Sequence, residues 1–211
     1  MLGVLIPALN EEDNIQLVIQ GIVNSGISTE NIFVLNNHST DKTKQIAIEN
    51  KCVVIDIESK GYSSTLKAGL LILKDRGYKR FLIVDGDNEI DSSSVAEIIT
   101  KSPYYQLCCG FRDEPKRIGE KIVNLYFQKK YGVLDYMCGL KLGYVADFNP
   151  QSVLNYGIDL LNLTKIRNDD VLNIKIKLNL RDESRLGNAL KVNFLLIYNL
   201  FLYIISARKP K

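Results

Sequence analysis

Histidine is almost absent from this chain: His38 stands alone, and the four cysteines, Cys52, Cys108, Cys109 and Cys138, show no CxxC spacing. A zinc site built from such ligands is excluded on that ground, and the cysteines read as reduced and mostly buried. The lone histidine reads as structural, without a role in chemistry. A large charge of one sign is also missing, because 27 Lys and Arg stand against 24 Asp and Glu spread along the chain, for a net charge of +3. That balance is too mild for a nucleic-acid binder. Proline and glycine are few, 5 and 14 in 211 residues, while 46% of the side chains are hydrophobic. Disorder is excluded, and the chain is long enough to bury a real core. The apolar run before Asn10, Glu11 and Glu12 is too short for the core of a secretory signal, which implies a cytoplasmic protein.

One long apolar run is present, VNFLLIYNLFLYII at residues 192–205, flanked by Lys191 and by Arg208, Lys209 and Lys211. A helix of about 15 such residues covers roughly 22 Å, short of the ~30 Å hydrocarbon core of a bilayer. Two readings stand: a helix docked on a membrane surface, and a buried last helix of an ordinary core. No repeat or low-complexity linker divides the chain. The organisation expected is an α/β domain over residues 1–185 with a C-terminal apolar helix and basic tail over 186–211.

Short apolar runs alternate with amphipathic stretches through the first half. GVLIP, NIFVL, CVVIDI, RFLIV and residues 106–109 read as strands; residues 12–24, 40–50, 63–76 and 92–101 read as helices. This is the βαβ rhythm of a parallel sheet, with four or five strands placed by residue 110. Further on, residues 119–131 read as a helix, KLGYV as a strand, residues 151–163 as a helix and VLNIKIKLNL as a half-exposed strand. In such sheets ligands bind beyond the carboxyl ends of the strands. Those positions are polar here: Asn10, Glu11 and Glu12 after the first strand, Asn36 to Asp41 after the second, and Asp85, Asp87, Glu89 and Asp91 after the fourth.

The sharpest of these features is DGDNEID at residues 85–91, where four acids in seven residues repel one another unless a cation or water neutralises them. Carboxylates at Asp85, Asp87 and Glu89 are oxygen donors suited to Mg²⁺ or Mn²⁺, which would also hold phosphate oxygens. A calcium-binding EF-hand loop is excluded, because Ile90 stands where the loop's glycine is required and no helix precedes it. In NNHSTDKT at residues 36–43, Ser39 or Thr40 is expected to cap the following helix. The amides of Asn36 and Asn37 can donate to and accept from a base edge.

Taken in order, IPALNEE, NNHSTDKT, KGYSSTLKAG, DGDNEID, CGFR and DYMCGLKLG resemble glycosyltransferase family 2, whose catalytic domain has the GT-A fold, a Rossmann-like, mostly parallel sheet flanked by helices. The resemblance implies a metal-dependent, inverting transfer of a sugar from a UDP- or GDP-sugar. It puts Pro7, Asn10 and Glu11 beside the nucleoside, Lys60 near the base or diphosphate, and Asp85 with Gly86 at the ribose. Asp87, with Glu89, would hold the metal bridging the diphosphate. Asn36 and Asn37 depart from the family, which usually has aspartates there, although an amide oxygen still accepts from an imide N–H.

LRDESRLG at residues 180–187 resembles a stretch of dolichyl-phosphate mannose synthase and its bacterial polyprenyl-phosphate relatives, with Arg181, Ser184 and Arg185 matching and the expected glycine displaced. In that branch the arginine contacts phosphate, and Arg112 and Arg117 fall where further phosphate-binding residues occur. A polyprenyl-phosphate acceptor needs no general base. A sugar hydroxyl in surface polysaccharide assembly does, and Asp135 is then the candidate. A nucleotidyltransferase is disfavoured because ALNEEDN holds no glycine to cradle phosphate. A scaffold that lost catalysis is the remaining alternative, against which the retained Asp85, Asp87 and Asp135 speak.

Overall fold

In the computed structural model, which describes residues 1–115, 117–179 and 189–207, seven strands form one sheet. They are β1 (Leu2–Ala8), β2 (Ile32–Asn36), β3 (Val53–Asp56), β4 (Arg80–Ile83), β5 (Leu107–Phe111), β6 (Lys141–Tyr144) and β7 (Val171–Lys175), in the order β3-β2-β1-β4-β6-β5-β7. The helices are α1 (Ile15–Asn24), α2 (Thr43–Glu49), α3 (Tyr62–Asp75), α4 (Ser92–Lys101), α5 (Ile118–Tyr131) and α6 (Ala189–Ala207). The first five strands run in one direction, as their sequence rhythm implies. β6 lies antiparallel between β4 and β5, so it splits the parallel set without reversing it.

Alternation along the strands builds two cores. Leu5, Phe33, Leu35, Phe81 and Ile83 face α3, α5 and α6, whereas Val4, Ile6, Ile32, Val34 and Leu82 face α1, α2 and α4. α6 joins the first core through Val192, Leu196, Leu200 and Tyr203, so the last helix shares the core of the rest. The buried-helix reading of the apolar run holds for that side, while Phe194, Ile197, Tyr198, Phe201 and Ile205 on its outer side are exposed. Among the described residues no helix is long and apolar enough to cross a membrane.

Two local expectations are corrected. The segment 151–163 is not a helix but irregular chain with a 3₁₀ turn at Asn155–Gly157. The Asp159 carboxylate accepts from the Ser152 hydroxyl and from the Val153 and Leu154 N–H groups, which takes those donors away from a helical ladder. Tyr156 and Gly157 have positive φ, 59° and 67°, which a right-handed helix cannot contain. Neither Ser39 nor Thr40 caps α2. Asp41 accepts from the Thr43 N–H at 3.0 Å, while residues 39–43 are tied to the loop after β1. Asn10 N–H donates to Ser39 Oγ, Glu11 N–H to Thr43 Oγ1 and Glu12 N–H to Asp41 Oδ2.

Candidate active site

The register of the sheet brings the sequence-selected residues to one edge. Ala8 pairs with Asn36 and Asn36 with Asp56, and the Gly86 N–H donates to the Pro7 carbonyl at 3.3 Å. Pro7 and Asn36 at the carboxyl ends of β1 and β2, and Asn37, Asp85, Gly86 and Asp87 just beyond the ends of β2 and β4, therefore stand on one edge. A Cβ on Gly86 would come 3.0 Å from the Pro7 carbonyl oxygen, so this close approach favours glycine. Asn10 lies just outside with φ 55°, held there as Thr40 N–H donates to its Oδ1 at 2.8 Å. Glu11 is buried and its carboxylate accepts from the Asn14 amide. Lys60 is exposed in the loop before α3.

The two asparagines are buried and already engaged. Asn36 donates to Asp56 Oδ1 at 2.8 Å and accepts from the Ser39 N–H; Asn37 donates to the Gly61 carbonyl and to Thr65 Oγ1. An aspartate at 36 would set two carboxylates against each other, since Asp56 is held below the usual carboxylate range by its bonds to Lys44 and Asn36. The amide at 36 is thus fitted to an acid displaced to the end of β3.

The acidic loop after β4 is shaped from three sides. Asp85 accepts from the Tyr62 hydroxyl at 2.9 Å, and burial followed by the charge of Asp87 pushes its carboxyl up to about 6. A Cβ on Gly139 would lie 1.9 Å from Asp85 Oδ2, so the carboxylate rests directly against the backbone after Cys138. Asp87 Oδ1 accepts from the Glu89 N–H, and the Glu89 carbonyl accepts from the Asn179 N–H. Asp91 is spent as the cap of α4, accepting from the Ser93 N–H at 2.9 Å. Among the described residues no three His, Cys, Asp or Glu side chains converge as a closed metal cage. Mg²⁺ and Mn²⁺ require none where substrate phosphates complete the shell, and one or two carboxylates suffice. Burial, with the charge of Asp87 behind it, raises Asp85, and a divalent ion would relieve the part due to charge; Asp87 and Glu89 are oxygen donors that fit an open site of that kind.

On the far side of β6 the second group of predicted residues forms a buried ionic cluster. The Arg112 guanidinium grips Asp135 with Nε at 2.7 Å and Nη2 at 3.1 Å, Asn124 donates to Asp135 Oδ1 at 2.7 Å, and the Arg112 N–H meets Oδ2. Glu120 sits 3.3 Å from Arg112 and 2.9 Å from Arg117. Burial alone would raise the Asp135 carboxyl, but the bonds and charge of Arg112 outweigh it and hold it below the usual range. The general-base role expected of Asp135 is at odds with this geometry, because both oxygens are occupied and the group is 1% exposed. Arg112 and Arg117 likewise point their charge at acids, with side chains only 11% and 9% exposed, rather than into an open phosphate site. Arg181, Ser184 and Arg185 lie outside the described residues. Sequence reasoning missed Tyr62, Gly139, Glu120 and Asn124. The first two stand inside motifs it had singled out, whereas nothing in the sequence marks the pairings of the other two.

A mostly parallel sheet with an acidic loop beyond β4, two amides at the end of β2 on the same sheet edge and an antiparallel strand inserted beside β4 defines a GT-A nucleotide-sugar domain. The model of Glycosyl transferase family 2 matches residues 3–137, and the chain belongs to that family: it is a nucleotide-sugar-dependent glycosyltransferase. Protein RfbJ of Shigella flexneri is 34% identical over 98 residues, which make up 46% of this chain and 73% of that one. The fold is similar to glucosyl-3-phosphoglycerate synthase of Mycobacterium tuberculosis, with a TM-score of 0.75 and 19% identity over 96% of this chain and 80% of that one. The same synthase solved with UDP gives a TM-score of 0.76 at 19% identity over 96% and 79%. Solved with Mn²⁺, UDP and glucosyl-3-phosphoglycerate it gives 0.71 at 17% identity over the same shares.

Proposed function

We propose that the chain transfers a sugar from a UDP- or GDP-sugar to a polyprenyl phosphate, with Mg²⁺ or Mn²⁺ held by Asp87 and Glu89. The observation that carries the choice of acceptor is the saturation of Asp135. A hydroxyl acceptor must surrender a proton as it attacks, and the carboxylate that the family resemblance assigns to that purpose is ion-paired, buried and weakly basic. A phosphate monoester is ionised near neutral pH and attacks without a base.

On the donor side, Pro7, Asn10, Glu11, Asn36 and Asn37 line the nucleoside, and Asp85 with Gly86 meets the ribose. Asp85 exchanges its Tyr62 bond for a ribose hydroxyl, so Tyr62 holds the carboxylate in place until the donor arrives. The divalent ion, when bound, neutralises charge developing on the leaving diphosphate. Lys60 adds a second positive charge from the loop before α3. On the acceptor side Arg112 and Arg117 are matched by Glu120 and Asp135. The net positive charge for a lipid phosphate therefore falls to Arg181 and Arg185, with Ser184 as a hydroxyl donor. The UDP and Mn²⁺ complexes of the M. tuberculosis synthase support UDP and a divalent ion here. A polyprenyl acceptor sits in a bilayer, which puts the protein at the inner face of the cell membrane.

A second reading, transfer to a hydroxyl in surface polysaccharide assembly, is favoured by the complex of that synthase with phosphoglyceric acid. It requires Arg112 to release Asp135. Turnover of UDP- and GDP-sugars with Mn²⁺, with and without a short polyprenyl phosphate, separates the two. Lipid-dependent transfer is expected; transfer to a soluble glycan that is indifferent to the lipid would overturn the first reading.

A further inference from the structure

α5 and α6 lie side by side and run in the same direction. The Gly119 N–H donates to Asn193 Oδ1 at 2.8 Å near their starts, and the Tyr131 and Tyr203 hydroxyls meet at 3.0 Å near their ends. A Cβ on Gly119 would come 3.0 Å from the Asn193 Cα, so the two backbones approach closely. α6 turns Val192, Leu196, Leu200 and Tyr203 into the core. On the opposite stripe, at helical spacing, Phe194 (70%), Ile197, Tyr198, Phe201 (58%) and Ile205 are exposed, with the Phe194 and Tyr198 rings stacked. α5 adds Ile118 (69%), Ile122 and Leu125 on its own outer stripe. A groove lined by Ile122, Leu125, Tyr126, Lys129, Lys130 and Leu200 joins the two helices. Two adjacent helices thus each present a row of exposed apolar side chains, with this groove between them.

Among the described residues of α5 and α6 the exposed charge has one sign. Lys121, Lys129 and Lys130 are exposed on α5, whose one acid, Glu120, is buried; α6 carries Lys191 and no acid at all. Arg208, Lys209 and Lys211 follow α6 directly in the chain. A second copy of this chain docked through the same helices would bring lysines against lysines, since the described residues of α5 and α6 offer no exposed carboxylate to receive them. An anionic bilayer offers acyl chains to the aromatic stripe and headgroup charge to the lysines. The face also begins beside the site, because Arg117 and Glu120 at the start of α5 belong to the ionic cluster with Arg112 and Asp135.

We propose that the exposed face of α5 and α6 docks on anionic lipid, seating the phenyl rings of Phe194 and Phe201 among acyl chains with Lys129 and Lys130 at the headgroups, so that the start of α5 faces the bilayer surface. This deepens the peripheral location inferred above and is independent of the acceptor, since vesicle binding can hold even where polyprenyl phosphate proves to be no substrate. The test is flotation of the full chain with phosphatidylcholine vesicles, with and without about a third phosphatidylglycerol. Co-flotation with the anionic vesicles is expected, weakened about tenfold or more both by Phe194→Ser with Phe201→Ser and by Lys129→Glu with Lys130→Glu. Nucleotide binding should stay at the wild-type value, and the melting temperature should fall by no more than a few degrees, because the variants remove only surface contacts such as those of Lys130 with Tyr126 and Tyr131. Absence of co-flotation at low salt, or undiminished binding by both double variants, overturns the proposal. So does a wild-type dimer in sedimentation that the phenylalanine variant converts to monomer, which would make the face a self-interface.

Discussion

Replacing Gly139 by alanine tests how closely the acidic loop is built. The added methyl would sit 1.9 Å from Asp85 Oδ2, and ordinary contact begins at 3.4 Å, so the carboxylate or the loop carrying residue 139 must retreat by about 1.5 Å. Gly139 does not have positive φ, so alanine is tolerated by the backbone and the effect is steric. Misplacing a positioned group by about 1 Å costs on the order of 100-fold in turnover efficiency, and this is the loss of kcat/KM expected. Overpacking adds about 1–3 kcal/mol of destabilisation, seen as a fall of roughly 5 °C in Tm. The assay is donor turnover and donor affinity by titration calorimetry, repeated in an Asp85→Ala background. Without the carboxylate the clash disappears, so the second substitution should cost less than about threefold there. Wild-type donor affinity and turnover in Gly139→Ala, or an equal loss in both backgrounds, would refute the reasoning.

Other substitutions probe the remaining parts. Arg112→Met leaves Asp135 and Glu120 buried without their shared cation and should cost about 3–5 kcal/mol, read by urea denaturation. Asn36→Asp places a second carboxylate beside Asp56 and should destabilise by about 1 kcal/mol, after discounting for the solvent around Asp56. The new pair holds a proton more readily when folded, so that loss should grow as pH rises from about 3 to about 6 and level off above, which thermal melts across this range would show. Asp85 has a raised carboxyl, at about 6 in the free protein. Donor binding that uses its ionised form should therefore weaken as pH drops through about 6, by at most tenfold per unit, and Asp85→Asn should flatten that profile in calorimetry.

The first half of the fold was legible because local patterns there agree with the tertiary answer. The apolar runs GVLIP, NIFVL and RFLIV became β1, β2 and β4, and residues 92–101 are the helix α4 that their pattern implies. What stayed hidden depends on partners distant in sequence. The apolar spacing of Leu154, Ile158 and Leu161 imitates a helix, but the side chain of Asp159 captures the nearby N–H groups, and the apolar residues pack as a loop. The Ser and Thr of residues 36–43 look like caps because nothing local reveals that their donors and acceptors lace the loop after β1. At the site the same division holds. Asp85, Asp87, Asn36 and Asn37 are marked by their place at strand ends, whereas the pairing of Asp135 with Arg112, across 23 residues, changes the chemistry of both and shows only in three dimensions.

Binding of UDP and GDP to wild-type protein and to Asp87→Ala, each with and without Mn²⁺, bears most directly on the claim that the loop after β4 holds a nucleotide diphosphate through a divalent ion. One of the two nucleotides should bind the wild type in a Mn²⁺-dependent manner, and Asp87→Ala should lose about tenfold or more of that affinity while its melting temperature stays within a few degrees. Nucleotide affinity that is the same with and without Mn²⁺, and the same in Asp87→Ala, would contradict the account.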